Sequence, residues 1–160
     1  MNEALLSTDW KLPWVGGCRC GRTRFEVTAA PLLSSACHCI GCQRMTAGAY
    51  SLSLSVPTEA FRVTEGEPVI GALHGPHKHL YCGHCLSWMF TRPNGLDWLV
   101  NFRATMLDDH AWFAPYAEIC TGEGFPWAKT GAPHSYPGVP EMEVFQSLIA
   151  GFAREGARPA

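Results

Sequence analysis

Along most of this chain apolar and polar residues alternate one by one, in short runs broken at close intervals by glycine and proline. Residues 24–28 (RFEVT) alternate, residues 50–56 interleave serine with leucine and stop at Pro57, and Phe61-Arg62-Val63 sits between Glu59 and Gly66. A period of two puts successive side chains on opposite faces of a sheet, so each run predicts a strand. Residues 69–74 and 78–82 bracket Gly75-Pro76 and predict a hairpin. Residues 87–92 and 97–103 predict two further strands joined by the turn Pro93-Asn94-Gly95, and residues 117–121 are strand-like as well.

Only the tail repeats at helical spacing. From Glu141, Met142, Val144, Phe145, Leu148, Ile149 and Phe152 fall close to one face, with Pro140 before the run and Gly151 and Gly156 towards its end. Such a face predicts a helix packed on the sheets. Before it, residues 122–140 are rich in glycine and proline, carry Phe125-Pro126-Trp127, and predict a long irregular loop. At 160 residues the chain has room for a single domain with a sizeable core, expected over about residues 15–153, with residues 1–13 and 155–160 frayed.

Chemistry enters through the cysteines. Seven of eight fall in three clusters, Cys18-x-Cys20, Cys37-x-Cys39-x-x-Cys42 and Cys82-x-x-Cys85, while Cys120 stands alone and reads as a small buried hydrophobe. Around a tetrahedral zinc ion, sulfurs at about 2.3 Å lie about 3.8 Å from one another, so two thiolates one or two residues apart on a tight turn share one ion. The outer pairs together make a closed four-sulfur site that staples a long loop. The middle triplet makes a three-sulfur site whose fourth position is open, unless one of His38, His74, His77, His79, His84 or His110 completes it. Two zinc ions per chain are expected. A disulfide framework fits poorly, because seven is odd and no secretory signal precedes the clusters; a redox role of clustered thiols is a further alternative.

Charge narrows the partners. Twelve Lys and Arg face 14 Asp and Glu, a formal charge of −2 with no basic run, so a nucleic-acid face is not expected. Seven metal-bound thiolates against two zinc ions would take the total to about −5. No apolar run reaches the ~20 residues of a membrane span, and reduced clustered thiols suit the cytoplasm.

The motifs together resemble a known family. Gly16-Gly17-Cys18-Arg19-Cys20-Gly21 before a strand, Cys37-His38-Cys39-x-x-Cys42-Gln43-Arg44 with Gly48 soon after, and Tyr81-Cys82-Gly83-His84-Cys85 are similar to the glutathione-dependent formaldehyde-activating enzyme (GFA, or CENP-V/GFA) family. The resemblance spans about residues 15–130 and extends less distinctively to residues 105–109 and to Phe125-Pro126-Trp127. It implies a mostly β, Mss4-like fold of antiparallel sheets with zinc-binding loops, to which the helical tail adds a short C-terminal helix. It also implies Cys18, Cys20, Cys82 and Cys85 as structural zinc ligands and Cys37, Cys39 and Cys42 as catalytic zinc ligands. The implied reaction is that of a carbon–sulfur lyase or synthase joining a small thiol such as glutathione to formaldehyde. Leu86 departs from the glycine that many members carry after the second knuckle.

A tripeptide's carboxylates need cationic or amide partners, and the nearest by sequence are Arg44 and Arg19, with His38 and Gln43 beside the triplet as further substrate contacts and Trp127 as a wall. Two non-catalytic alternatives share the same residues. One is an interaction module of Mss4-like type, the other a zinc or thiol redox sensor.

Overall fold

The structure, a computed structural model, describes residues 8–71 and 75–160. Eleven strands and two α-helices are present among them. A three-stranded sheet, ordered β1-β2-β5, is formed by β1 (Trp14–Gly17), β2 (Arg24–Val27) and β5 (Phe61–Glu65). The second sheet combines β3 (Leu33–Cys37), β4 (Ser51–Pro57), β6 (Pro68–Gly71), β7 (Lys78–Cys82), β8 (Trp88–Arg92), β9 (Leu99–Arg103), β10 (Ala117–Ile119) and β11 (His134–Ser135). Its order is β11-β10-β3-β4-β9-β8-β7-β6. Every pairing is antiparallel except that β10 runs parallel to β3 and to β11. The mostly β, antiparallel expectation therefore holds, with a parallel edge that alternation alone does not encode.

Rings from the two sheets meet in one core. Phe25 of β2 stacks on Phe61 of β5 at 5.0 Å between centroids, and these two contact Phe102 and Phe90 of the larger sheet at 5.4 and 4.8 Å. Gly16 of β1 lies against the Met106 carbonyl, where a Cβ would come to 2.3 Å, so only glycine lets that strand approach the segment after β9. The tail helix α2 (Met142–Glu155) buries Leu148 and Phe152 as its spacing predicts, each worth about 2 kcal/mol of apolar burial. Gly151 lies within it and faces the Tyr116 hydroxyl at a distance that no Cβ would tolerate.

Three expectations change. A second helix, α1 (Ile40–Thr46), follows the cysteine triplet, although only the tail has helical periodicity. It is seven residues long and owes its boundaries to caps: the Cys39 sulfur accepts the Cys42 N–H, and Ala47, left-handed at φ 51, donates its N–H to the Gln43 carbonyl. The irregular stretch 122–140 contains β11, which hydrogen-bonds to β10. The termini also pack more tightly than expected. Trp10 is 1% exposed and contacts Trp14, Trp112 and Phe152, and the Arg158 guanidinium lies 4.2 Å over its ring. Chain ends fray when nothing ties them down, and here a large aromatic and a cation tie them to each other. Residues 1–7 and 72–74 lie outside the described residues.

Candidate metal centres

The cysteine clusters meet as four and three. The sulfurs of Cys18, Cys20, Cys82 and Cys85 all lie within 4.8 Å of one another, as do those of Cys37, Cys39 and Cys42. Cys18 follows β1 and Cys82 ends β7, so the first group ties the small sheet to the β7–β8 turn. Its Cys18–Cys20 and Cys20–Cys82 sulfurs are 3.5 and 3.8 Å apart, close to the ~3.8 Å edge of a zinc–thiolate tetrahedron.

Backbone donors are aimed at these sulfurs. The Thr23 N–H reaches Cys18 at 3.3 Å, and N–H groups of Cys85 and His84 point at Cys82, lowering its thiol pKa. Cys85 falls to about 5: burial opposes the shift, and the Ser87 hydroxyl and backbone N–H outweigh it. Cys20 moves the other way. The Arg22 N–H lowers it, but burial and the thiols of Cys18, Cys85 and Cys82 push it up to about 11. Four clustered sulfurs resist joint ionisation on their own, and a divalent thiophilic cation removes that conflict. The donor set fits zinc.

The triplet is held from both sides. Cys37 ends β3, paired with Ile119 of β10 and Ser51 of β4, and Cys39 caps α1. Cys42 is raised first by the Cys37 sulfur and then by burial, and Cys39 is raised first by burial. Here too the thiols need a cation to ionise together. The metal-capable group contains three cysteines and, among the described residues, no histidine. His77 accepts from the Asn94 N–H, His79 contacts Thr91, His84 contacts Arg22 and His110 contacts the Leu107 carbonyl. His74 lies outside the described residues.

Of the four residues expected to meet substrate, two are turned inward. His38 is 1% exposed and its Nε2 meets Glu118 at 3.1 Å. Gln43 donates from Nε2 to the carbonyls of His38 and Glu123 at 2.7 and 2.9 Å, so both stitch the triplet loop to the β10 side rather than face solvent. Arg19 and Arg44 are exposed. Trp127, expected to wall a pocket or be buried, is 73% exposed and stacks on Phe125 at 5.4 Å.

Sequence reasoning gave no role at this site to three of its neighbours. Glu118 hides in a short strand. Cys120 is buried and left-handed at φ 56, with its thiol beside Cys37. Arg103 ends the apolar run of β9 and is 7% exposed; a charge at an inward position of such a strand was the available signal. Leu86 takes φ 58, the left-handed turn that glycine favours.

The profile of the glutathione-dependent formaldehyde-activating enzyme family matches residues 13–123. The chain belongs to this GFA family. All seven clustered cysteines fall inside the matched span, as expected from their spacing. No curated protein matches the chain. Among solved structures, the crystal structure of a Rhodobacter sphaeroides protein shares the fold with a TM-score of 0.50 and 20% identity, over 59% of this GFA chain and 87% of that one. No helix among the described residues is long and apolar enough to cross a membrane.

Proposed function

We propose that this protein is a zinc-dependent carbon–sulfur lyase or synthase that joins a thiol such as glutathione to formaldehyde, or cleaves a related adduct. The observation that carries the reading is the unequal grouping of sulfur, four within one cluster and three within the other, in a chain of the GFA family. Cys18, Cys20, Cys82 and Cys85 hold a structural zinc and Cys37, Cys39 and Cys42 a catalytic one. Bound at the triplet, zinc supplies a soft Lewis acid that favours the thiolate form of an incoming sulfur.

The chain's own residues do the positioning. Gln43 and the His38–Glu118 pair fix the loop that carries Cys37 and Cys39, so the three sulfurs keep their spacing without reorganisation. Arg44, in the last turn of α1, and Arg19 stand at the surface for the carboxylates of a tripeptide. In the reaction the thiol sulfur attacks the formaldehyde carbon, a carbon–sulfur bond forms, the carbonyl π bond opens, and the thiol proton ends on the new hydroxyl. The reverse breaks the same bond. The uncatalysed addition is already facile, so proximity and thiol activation suffice and no strong general acid or base is needed.

Exchange spectroscopy on zinc-loaded protein with glutathione and formaldehyde tests this. S-hydroxymethylglutathione should form and exchange faster than without protein, and glutathione should add one sulfur to the triplet metal by X-ray absorption. Unchanged exchange together with unchanged coordination would leave a zinc-bearing interaction module as the better reading.

A further inference from the structure

A cavity of about 390 Å³ is lined by segments that follow Cys42 of one cysteine cluster and Cys85 of the other. One wall carries Met45 and Thr46 of α1, the helix that bears Cys42, and the other carries Leu86 and Ser87 from the turn after Cys85. Trp88 and Arg103 line it as well. Its size falls in the range of small-ligand sites.

Arg103 is the unusual member. It is 7% exposed and forms no ion pair with any carboxylate among the described residues. Its guanidinium lies 4.0 Å over the Trp88 ring, and one Nη donates to the Asn101 carbonyl at 3.1 Å. Its Nε is buried with no partner. Burying a cation with a free donor is costly unless an anion completes it. Burial lowers its pKa only to about 10, so the side chain stays cationic at neutral pH. Arg103 opposes Ser53 of β4, two residues from the Ser51 that pairs with Cys37, which puts it one strand across the sheet from the triplet's first cysteine.

We propose that Arg103, stacked on Trp88 in this cavity, is the anchor for a carboxylate of the substrate thiol and so selects carboxylate-bearing thiols. This rests on the triplet reading above and adds a positioning residue to it. A guanidinium fixed by an aromatic face presents its free edge to a carboxylate with little ordering left to do. It also offsets the negative charge that a fourth sulfur would bring to three thiolates.

Glutathione and its dimethyl ester, which differ in carboxylate charge at nearly equal length, separate the possibilities. In cobalt-substituted protein, titrated through the thiolate-to-cobalt absorption, glutathione should bind about tenfold or more tightly than the ester, the usual size of one charge-assisted hydrogen bond. Arg103→Met should bring the two within about threefold, and Arg103→Lys should restore part of the preference. Discrimination that survives Arg103→Met overturns the proposal. Should that variant fail to fold, the side-chain Nε–H resonance of Arg103 in the wild-type protein decides: it should shift with glutathione and not with the ester, and equal shifts or none overturn the assignment. The same resonance separates the two readings, because a glutathione-specific shift in protein whose triplet takes up no cobalt supports the anchor while the metal reading fails alone.

Discussion

The carboxylate of Glu118 meets the imidazole of His38 at 3.1 Å in a buried pair that bridges β10 and the loop between two cysteines of the triplet. The same carboxylate oxygen accepts from the Thr130 hydroxyl at 2.8 Å. Burial alone would raise Glu118, but the hydroxyls of Thr130 and Ser135, the Thr130 N–H and His38 outweigh it and hold its pKa below the ordinary 4.5. A carboxylate depressed in the folded state adds stability that is present above its unfolded pKa and disappears as pH falls through the folded one. Glu118→Gln should therefore be less stable than wild type by about 1–2 kcal/mol at neutral pH, with the gap closing on acidification below about pH 4.5. Urea unfolding of both proteins across pH 3–7 checks it, and a gap that widens in acid contradicts the assignment.

The two sulfur groups should differ in what they support. The four-sulfur group joins residues far apart in sequence, from the end of β1 to the end of β7, whereas the triplet is local to one loop and one helix turn. Removing a staple across a long loop costs far more than opening a local site. Purified protein should carry two zinc ions, Cys39→Ser should carry one and still unfold cooperatively, and Cys82→Ser should lose about 10 °C or more of Tm or fail to fold. Metal analysis beside thermal melts gives both readouts.

How legible the chain is in sequence depends on range. Strands such as β2 and β4 are written in local alternation, and α2 in its apolar stripe, so both can be read directly. The seven-residue α1 cannot, because its limits come from a cysteine sulfur and a left-handed alanine rather than from periodicity. The parallel pairing of β10 with β3 links residues about eighty positions apart, and no local pattern encodes it. The cysteine grouping is legible because ligand number and spacing are stoichiometric. The inward roles of His38 and Gln43 are not, since their partners Glu118 and Glu123 arrive from that same distant segment.

Leu86 offers a stability test of the turn that follows Cys85. It is 67% exposed, so its side chain contributes little burial, yet its backbone sits at φ 58. An L-residue there carries about 1–2 kcal/mol of strain, which glycine removes while adding some unfolded-state entropy. Leu86→Gly should raise stability by about 0.5–1 kcal/mol, visible as a Tm gain of a few degrees, and a loss would show that the leucine packs in a way its exposure does not reveal.

Trp10 tests the closure of the core by the chain's two ends. Its indole contacts Phe152 of α2 at 5.6 Å, Trp14 at 6.0 Å and the Arg158 guanidinium, and its carbonyl accepts from Trp14 Nε1 at 2.7 Å. Replacing a fully buried tryptophan by alanine leaves a large cavity and costs about 3–5 kcal/mol. Because Phe152 fills the facing side, Phe152→Ala should cost a similar amount, and the double variant should lose less than the two single losses together, since the second truncation removes contacts already broken. Strict additivity in denaturant unfolding would mean that the N-terminal turn and α2 are energetically separate, and that the buried ring stabilises only its own segment.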